Sequence, residues 1–315
     1  MALSTPLSNA ERYAPLAVRS QLTARRRDVA GVVARIALFL ALAFTLLVLG
    51  VLLVDVVRDG WGVLTDRFDS FVSDGLRSQP EEAGIQQGLR GSFWIGIFTI
   101  FLAFPIGIGA ALYLEEYARD TWFTRFINVN IRNLAGVPSI VYGILGFAIF
   151  VKSFGSLTGG RSVIAAGVTL AILVLPIVVI TSAEAIRAVP STLREGGYGL
   201  GATRAEIVRT QVLPAAAPGI LTGTVLSLSR ALGEAAPLIL VGAVTGFLGS
   251  TPGLTDVSSL KDRFTAMPMV ITTFAQKPQE GFREDTAAAI VILLGVVLVF
   301  NSVALILRNH FEKKR

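Results

Sequence analysis

Residues 191–214 read STLREGGYGLGATRAEIVRTQVLP, a polar, glycine-punctuated segment with strongly apolar sequence on either side. The whole chain is 53% hydrophobic and 16% charged, with mean hydropathy +0.66, the balance of an integral membrane protein. In such a chain this segment belongs outside lipid, presented to something soluble. Thr192 with Glu195, and Thr203 with Glu206, both fit the T-x-x-E pattern in which hydroxyl and carboxylate satisfy the orphan amides of a helix start. Two short helices are therefore expected, the first ending near Gly199 and Gly201, the second stopped by Pro214. Ile207, Val208 and Val212 give the second helix a small apolar face, while Arg204 and Arg209 stay polar. That face suits docking into a groove on a soluble partner, and the same periodicity also fits an amphipathic loop lying on the membrane.

Outward from the loop, five stretches free of Asp, Glu, Lys and Arg are long enough to span a bilayer: 36–54, 91–114, 133–151, 162–183 and 286–307. A sixth, 218–246, is apolar except for Arg230 and Glu234. The expected fold is all-α, with six transmembrane helices in one membrane domain over residues 29–315. Residues 1–28 read as a loosely attached cytoplasmic arm.

Basic residues set the orientation. Arg12, Arg19, Arg25, Arg26, Arg27 and Arg35 precede or open the first span, and Arg308, Lys313, Lys314 and Arg315 follow the last. Both termini therefore read as cytoplasmic, which requires an even number of spans. Loops 58–90 and 250–285, each with more acidic than basic residues, face outward. Loop 191–214, with Arg194, Arg204 and Arg209, faces the cytoplasm. The first apolar run continues to Val54, too long for a cleavable signal, so it reads as an uncleaved anchor.

Composition also narrows the chemistry. There is no cysteine, hence no disulfide, thiolate metal site or thiol nucleophile. The one histidine, His310, falls in the basic tail and reads as a solvated residue. No cofactor and no metal site are expected, and a membrane-embedded enzyme lacks a nucleophile–base set within the spans. The net charge of +6 reflects basic residues at the ends of apolar runs, not a nucleic-acid-binding stripe. Gly155-Ser-Leu-Thr-Gly-Gly-Arg161-Ser162 nearly fits a phosphate-cradling loop. However, arginine replaces the lysine, and the stretch joins two membrane spans, where no strand precedes it. Gly219-x-x-x-Gly223 and Gly242-x-x-x-Gly246 permit close helix approach.

Arg230 and Glu234 are the candidate transport residues. With the fifth span entering lipid near Pro218, Arg230 lies ~18 Å along it, past the middle of a ~30 Å core. An arginine there costs about 2.5–3.5 kcal/mol on insertion scales, so it belongs on a polar interior face. Glu234, four residues on, shares that face in the weaker order for a helical ion pair. Pro237 cannot donate to Gly233, which invites a kink beside the pair. A guanidinium presents planar donors suited to the oxygens of an oxyanion, and Glu234 would keep a bound anion from binding too tightly to leave. A structural ion pair is the alternative. Arg187, at the cytoplasmic mouth, is a weaker candidate, with a topology or loop-packing role equally open.

The loop resembles the signature of ABC importer permeases: EAA, three residues, Gly, nine residues, Ile, one residue, Leu-Pro. Glu195, Gly201, Leu213 and Pro214 hold that pattern, whereas Gly196 and Gly197 replace its alanines and Gln211 its isoleucine. The stretches Tyr113-Leu-Glu-Glu-Tyr-Ala118, Asn133-Leu-Ala-Gly-Val-Pro-Ser-Ile-Val-Tyr-Gly143, Glu184-Ala-Ile-Arg-Ala-Val-Pro190 and Ser229-Arg-Ala-Leu-Gly-Glu-Ala-Ala-Pro-Leu238 are similar to the A-type (PstA-type) permease subunits of bacterial high-affinity phosphate importers. The resemblance runs from about residue 91 to 246. It implies a type I ABC importer permease in the bacterial inner membrane, with no catalysis of its own. It also implies a homologous PstC-like permease, two PstB-like ATP-binding subunits on the cytoplasmic loops and an extracytoplasmic PstS-like phosphate-binding protein. A permease for sulfate, molybdate or phosphonate keeps the class and changes the cargo. A secondary transporter leaves the capped loop without a purpose and predicts inverted repeats, which are not evident.

Overall fold

A computed structural model describes residues 29–244, 253, 256–257 and 260–313, and every regular element among them is helical. The expected arm at 1–28 lies outside the described residues. The chain divides into two compact units, Met1–Asp55 and Val56–Arg315. The described part of the first is the opening of α1 (Val29–Asp66), whose large side chains from Val32 to Val54 are exposed. A helix apolar on every side fits a lipid environment.

The second unit continues with α2 (Phe68–Ser73), a 3₁₀ turn (Pro80–Glu82) and α3 (Gln86–Leu112), which widens into a π-turn (Tyr113–Tyr117). Next come α4 (Trp122–Ala135), α5 (Ser139–Gly146) with a π segment (Phe147–Ser153), α6 (Gly155–Thr158) and α7 (Val163–Arg187). Then follow α8 (Ser191–Gly199), α9 (Arg204–Ile207) with a π segment (Val208–Val212), and α10 (Leu213–Gly233). The last elements are α11 (Ala236–Val241), α12 (Met267–Ala275) and α13 (Gly281–Lys313). Five helical stretches among the described residues are long and apolar enough to cross a membrane, and the bent pair α4–α5 makes a sixth. This is an all-α, polytopic membrane fold.

The centre of the bundle is α7, with α3 along one side and α10 along another. Gly219 and Gly223 bring α10 against α7: a Cβ on Gly223 would lie 2.3 Å from Thr181 Oγ1, and one on Gly219 2.8 Å from the Ala185 Cβ. At one end, the segments around α2 and α12 build a separate core from Phe71, Ile85, Val270, Phe274 and Phe282. Arg67 binds it together, pairing with the buried Asp285 and donating to the carbonyls of Glu81 (3.0 Å) and Ala83 (3.2 Å). Lys277 lies 3.8 Å above the Phe282 ring and donates to the Arg77 carbonyl.

Several sequence expectations are corrected here. Residues 133–151 are not one straight span: α4 and α5 meet at 100° across Gly136-Val137-Pro138. Pro138 removes a donor and pushes Val137 out of the helical region, so the chain turns. The expected span 218–246 is also broken. Its helix begins well before Pro218, ends at Gly233, and resumes at Ala236 after Glu234 turns extended (ψ 117°). Gly242, with φ +107°, ends α11 instead of packing within a span, and Gly246 lies outside the described residues. The tail holding His310 is helical to Lys313, a continuation of α13. The phosphate-loop-like stretch is a helix joint. It is preceded by helix, not strand, and Ser162 caps α7 by accepting from the Ala165 amide at 3.2 Å.

Candidate functional site

The loop 191–214 folds as two packed turns of helix fixed from below. α8 begins at Ser191, directly after Pro190, without a side-chain cap bond, so Thr192 sits inside the helix and the expected Thr192–Glu195 capping box does not form. The second box does: the Thr203 amide donates to Glu206 Oε2 at 2.8 Å, and the Glu206 amide donates to Thr203 Oγ1 at 3.4 Å. Between the helices Gly201 adopts φ +81°, a left-handed conformation that costs an L side chain roughly 1–2 kcal/mol.

Pro214 does not stop the second helix. The helix runs unbroken from Arg204 to Gly233 because the turn at Val208–Val212 widens to π spacing, with the Leu213 amide reaching back five residues to the Val208 carbonyl. The wider turn accommodates a proline ring that would otherwise strike a carbonyl one turn back. Ile207, Val208 and Val212 are not presented to a partner either. They are buried (2%, 3% and 0% exposed), and Ile207 and Val212 pack with Ile186, Val189 and Ala216. The large hydrophobic side chains the loop does expose are Tyr198 (50%) and Leu200 (90%), at the tip where α8 ends. Glu195, Gly196 and Pro214 are exposed, and Leu213 is half-buried. Gly197 faces inward, where an added Cβ would lie 2.6 Å from Ile207 Cγ1.

The base of the loop is held by ion pairs that sequence reasoning missed. Arg194 donates to Glu116 Oε1 from Nε (3.0 Å) and Nη2 (2.7 Å), to the Val189 carbonyl (2.7 Å) and to the Ile186 carbonyl (3.0 Å). Arg187 pairs in fork fashion with Glu115, so its guanidinium is committed to a neighbouring helix. Arg204 stacks 5.4 Å over the Tyr117 ring. The available signal was the adjacency of two acids at the end of one span, matched by arginines flanking the start of the loop.

Arg230 and Glu234 lie at the break between α10 and α11. Their side chains meet at 3.3 Å (Nε to Oε1), with Arg230 50% and Glu234 18% exposed. Glu234 is the C-cap of α10, beyond its last helical residue, so the pair spans a helix end and not one continuous face. Pro237 sits in the first turn of α11, where its missing donor costs nothing. An apolar crevice in this region, about 240 Å³ among Phe93, Ile97, Leu228, Leu232, Val296 and Phe300, does not contain Arg230.

Taken together, five or six apolar spans, a braced loop between two of them and a half-exposed arginine at a helix break define a multi-pass membrane protein. Residues 103–315 match the family described as "binding-protein-dependent transport system inner membrane component", and the chain belongs to that family. It is 32% identical to the phosphate transport system permease protein PstA of Mycobacterium leprae (strain TN), over 85% of this chain and 86% of that one. It is 36% identical to the probable ABC transporter permease protein YqgH of Bacillus subtilis (strain 168), over 54% of this chain, and the match spans about half (55%) of that relative. Among solved structures, a bacterial ABC transporter involved in import of the acidic polysaccharide alginate superposes with TM-score 0.58 at 16% identity, over 89% of this chain and 98% of that one. The membrane fold is shared with that importer.

Proposed function

We propose that this chain is the A-type permease subunit of an ATP-driven phosphate importer. The observation that carries the reading is the Tyr198–Leu200 tip, an exposed apolar knob at the end of α8, which the Arg194 fork holds from one side and the left-handed Gly201 and the capped start of α9 hold from the other. A preorganised apolar knob loses little entropy on docking, which suits a permanent grip on a soluble subunit. In this reading both termini are cytoplasmic and residues 191–214 seat a PstB-like ATP-binding subunit. ATP hydrolysis resides on two such subunits. A PstC-like permease completes the pathway, and a PstS-like phosphate-binding protein delivers cargo from outside. Similarity to the phosphate permease named above supports phosphate over the other oxyanions.

Arg230 is the proposed anion contact. Its guanidinium is half-exposed on the chain's own surface, consistent with a pathway closed by a second subunit and not enclosed within one. Glu234 holds one side of the fork, leaving the remaining donors for phosphate oxygens and limiting the residence of the anion. Glu195, Gly196, Gly197, Gly201, Leu213 and Pro214 are the proposed coupling set. Gly197 and Gly201 act by geometry, and Pro214 acts by imposing the π-turn that joins the loop rigidly to α10.

The test is ATP hydrolysis by the reconstituted four-component system in liposomes, with binding proteins loaded with phosphate, sulfate, molybdate or phosphonate. Stimulation by the phosphate-loaded protein alone supports the reading, and Arg230→Gln should then abolish uptake while the complex still assembles. Stimulation by another oxyanion would change the cargo. Anion flux without any associated ATPase would overturn the importer class.

A further inference from the structure

We infer that Arg194 and Glu116 form a strut carrying displacement of α8 directly to α3, and that both are positioning residues for coupling. The inference rests on the coupling-loop reading above. Chain connectivity alone links α8 to α7 before it and to α10 after it. α3 ends more than 70 residues upstream of Arg194 and has no covalent reason to follow the loop.

The geometry supplies that link. α3 closes in a π-turn, with the Ala118 amide donating to the Tyr113 carbonyl at 2.8 Å, and Glu115 and Glu116 both sit there with little exposure (16% and 6% at the side chain). The Arg194 fork then meets three pieces of chain at once. Two donors reach Glu116 on α3, one reaches the Ile186 carbonyl in the last turn of α7, and one reaches the Val189 carbonyl in the linker. The Ile186 carbonyl also accepts from the Val189 amide at 3.3 Å, and the guanidinium adds a charged donor at the negative end of α7. A planar fork holds three acceptors in fixed relative positions, which a single ammonium on a flexible stem does not. Arg204 over Tyr117 attaches α9 to the same turn. The Arg187–Glu115 pair beside it is open to solvent, with Arg187 57% exposed, and is the weaker brace. The end of α3 is thus bonded to both helices of the loop, and movement of the loop tip moves α3 with α7 and α10.

The chain has no cysteine, so a labelled pair needs no background removal. Spin labels at Thr192→Cys and Arg119→Cys report the distance from α8 to the end of α3, both sites being exposed and neither lying in the proposed docking tip. The assembled complex is measured in nanodiscs with and without trapped nucleotide, alongside its ATPase rate with and without the phosphate-loaded binding protein. The unaltered pair should give one narrow distance in both states. Arg194→Lys should broaden it and cut the stimulated-to-basal ATPase ratio about tenfold, the scale of an ordinary allosteric coupling. Glu115→Gln should change that ratio by less than about twofold. Glu116→Gln, which keeps the side-chain shape, is carried through the same measurements in case Arg194→Lys fails to fold. A narrow distance and an unchanged ratio in Arg194→Lys and Glu116→Gln, with the ATPase subunits still bound, would overturn the strut alone. Failure of the unaltered chain to bind ATPase subunits would overturn the loop reading and the strut with it.

Discussion

Two neighbouring glycines in the loop stand where the importer signature has alanine, and the structure predicts opposite outcomes for restoring it. Gly196 has nothing within 4 Å of an added Cβ and lies inside α8, so Gly196→Ala gains helix propensity of about 0.8–1 kcal/mol with no steric cost. Gly197→Ala gains the same propensity, but its methyl would sit 2.6 Å from Ile207 Cγ1 and 2.9 Å from Cδ1. Ile207 is 2% exposed and packed in the same core as Val189 and Val212, so it has little room to rotate away. Overpacking of that kind costs typically about 1–3 kcal/mol. The two variants should therefore differ by about 1–3 kcal/mol, with Gly196→Ala the more stable. Hydrogen exchange across residues 191–207 of the nanodisc-embedded chain reads this locally, where global melting would dilute it. Ile207→Ala removes both clashing atoms, so combining it with Gly197→Ala should recover about 1 kcal/mol beyond additivity in a double-mutant cycle. Equal protection in both alanine variants, or strict additivity in the cycle, would show that Gly197 is not kept small by Ile207.

Three further outcomes follow from the same geometry. Gly201→Ala forces an L side chain into φ +81° and should weaken loop protection by roughly 1–2 kcal/mol, raising exchange at residues 199–203. Leu200→Asp, at a side chain 90% exposed in the isolated chain, should leave the chain's own melting unchanged while reducing co-purification of ATPase subunits by at least about tenfold. At the opposite cap, burial pushes the Lys277 ammonium below its ordinary 10.5, opposed by the nearby Asp285 charge. With the folded value lowered, the unfolded chain binds more protons between the two values, so stability rises with pH as 10.5 is approached from below. Lys277→Met should lack that increment, measured as the difference in melting temperature between the variant and the unaltered chain across the alkaline range.

Much of this protein is legible in its sequence because the deciding features are local. An apolar run of some twenty residues has few stable homes outside a membrane, so the all-helical class and the approximate positions of the spans follow from composition. The Thr203–Glu206 box and the left-handed Gly201 follow from spacings of a few residues, over which side chain and backbone meet whatever the rest of the chain does. Tertiary structure decided what periodicity leaves open, namely which partner each face meets. The apolar face of Ile207, Val208 and Val212 turned inward because the ends of α3 and α7 offered it a core, and Tyr198 and Leu200 were left outside by the same choice. Proline positions marked where a helix is disturbed without saying how. Pro138 accompanies a 100° bend and Pro237 a break, whereas Pro214 is absorbed in a π-turn. Arg187 and Arg194 find Glu115 and Glu116 across 72 and 78 residues of chain. An ion pair at that separation depends on helices brought together by packing, and no local pattern records it.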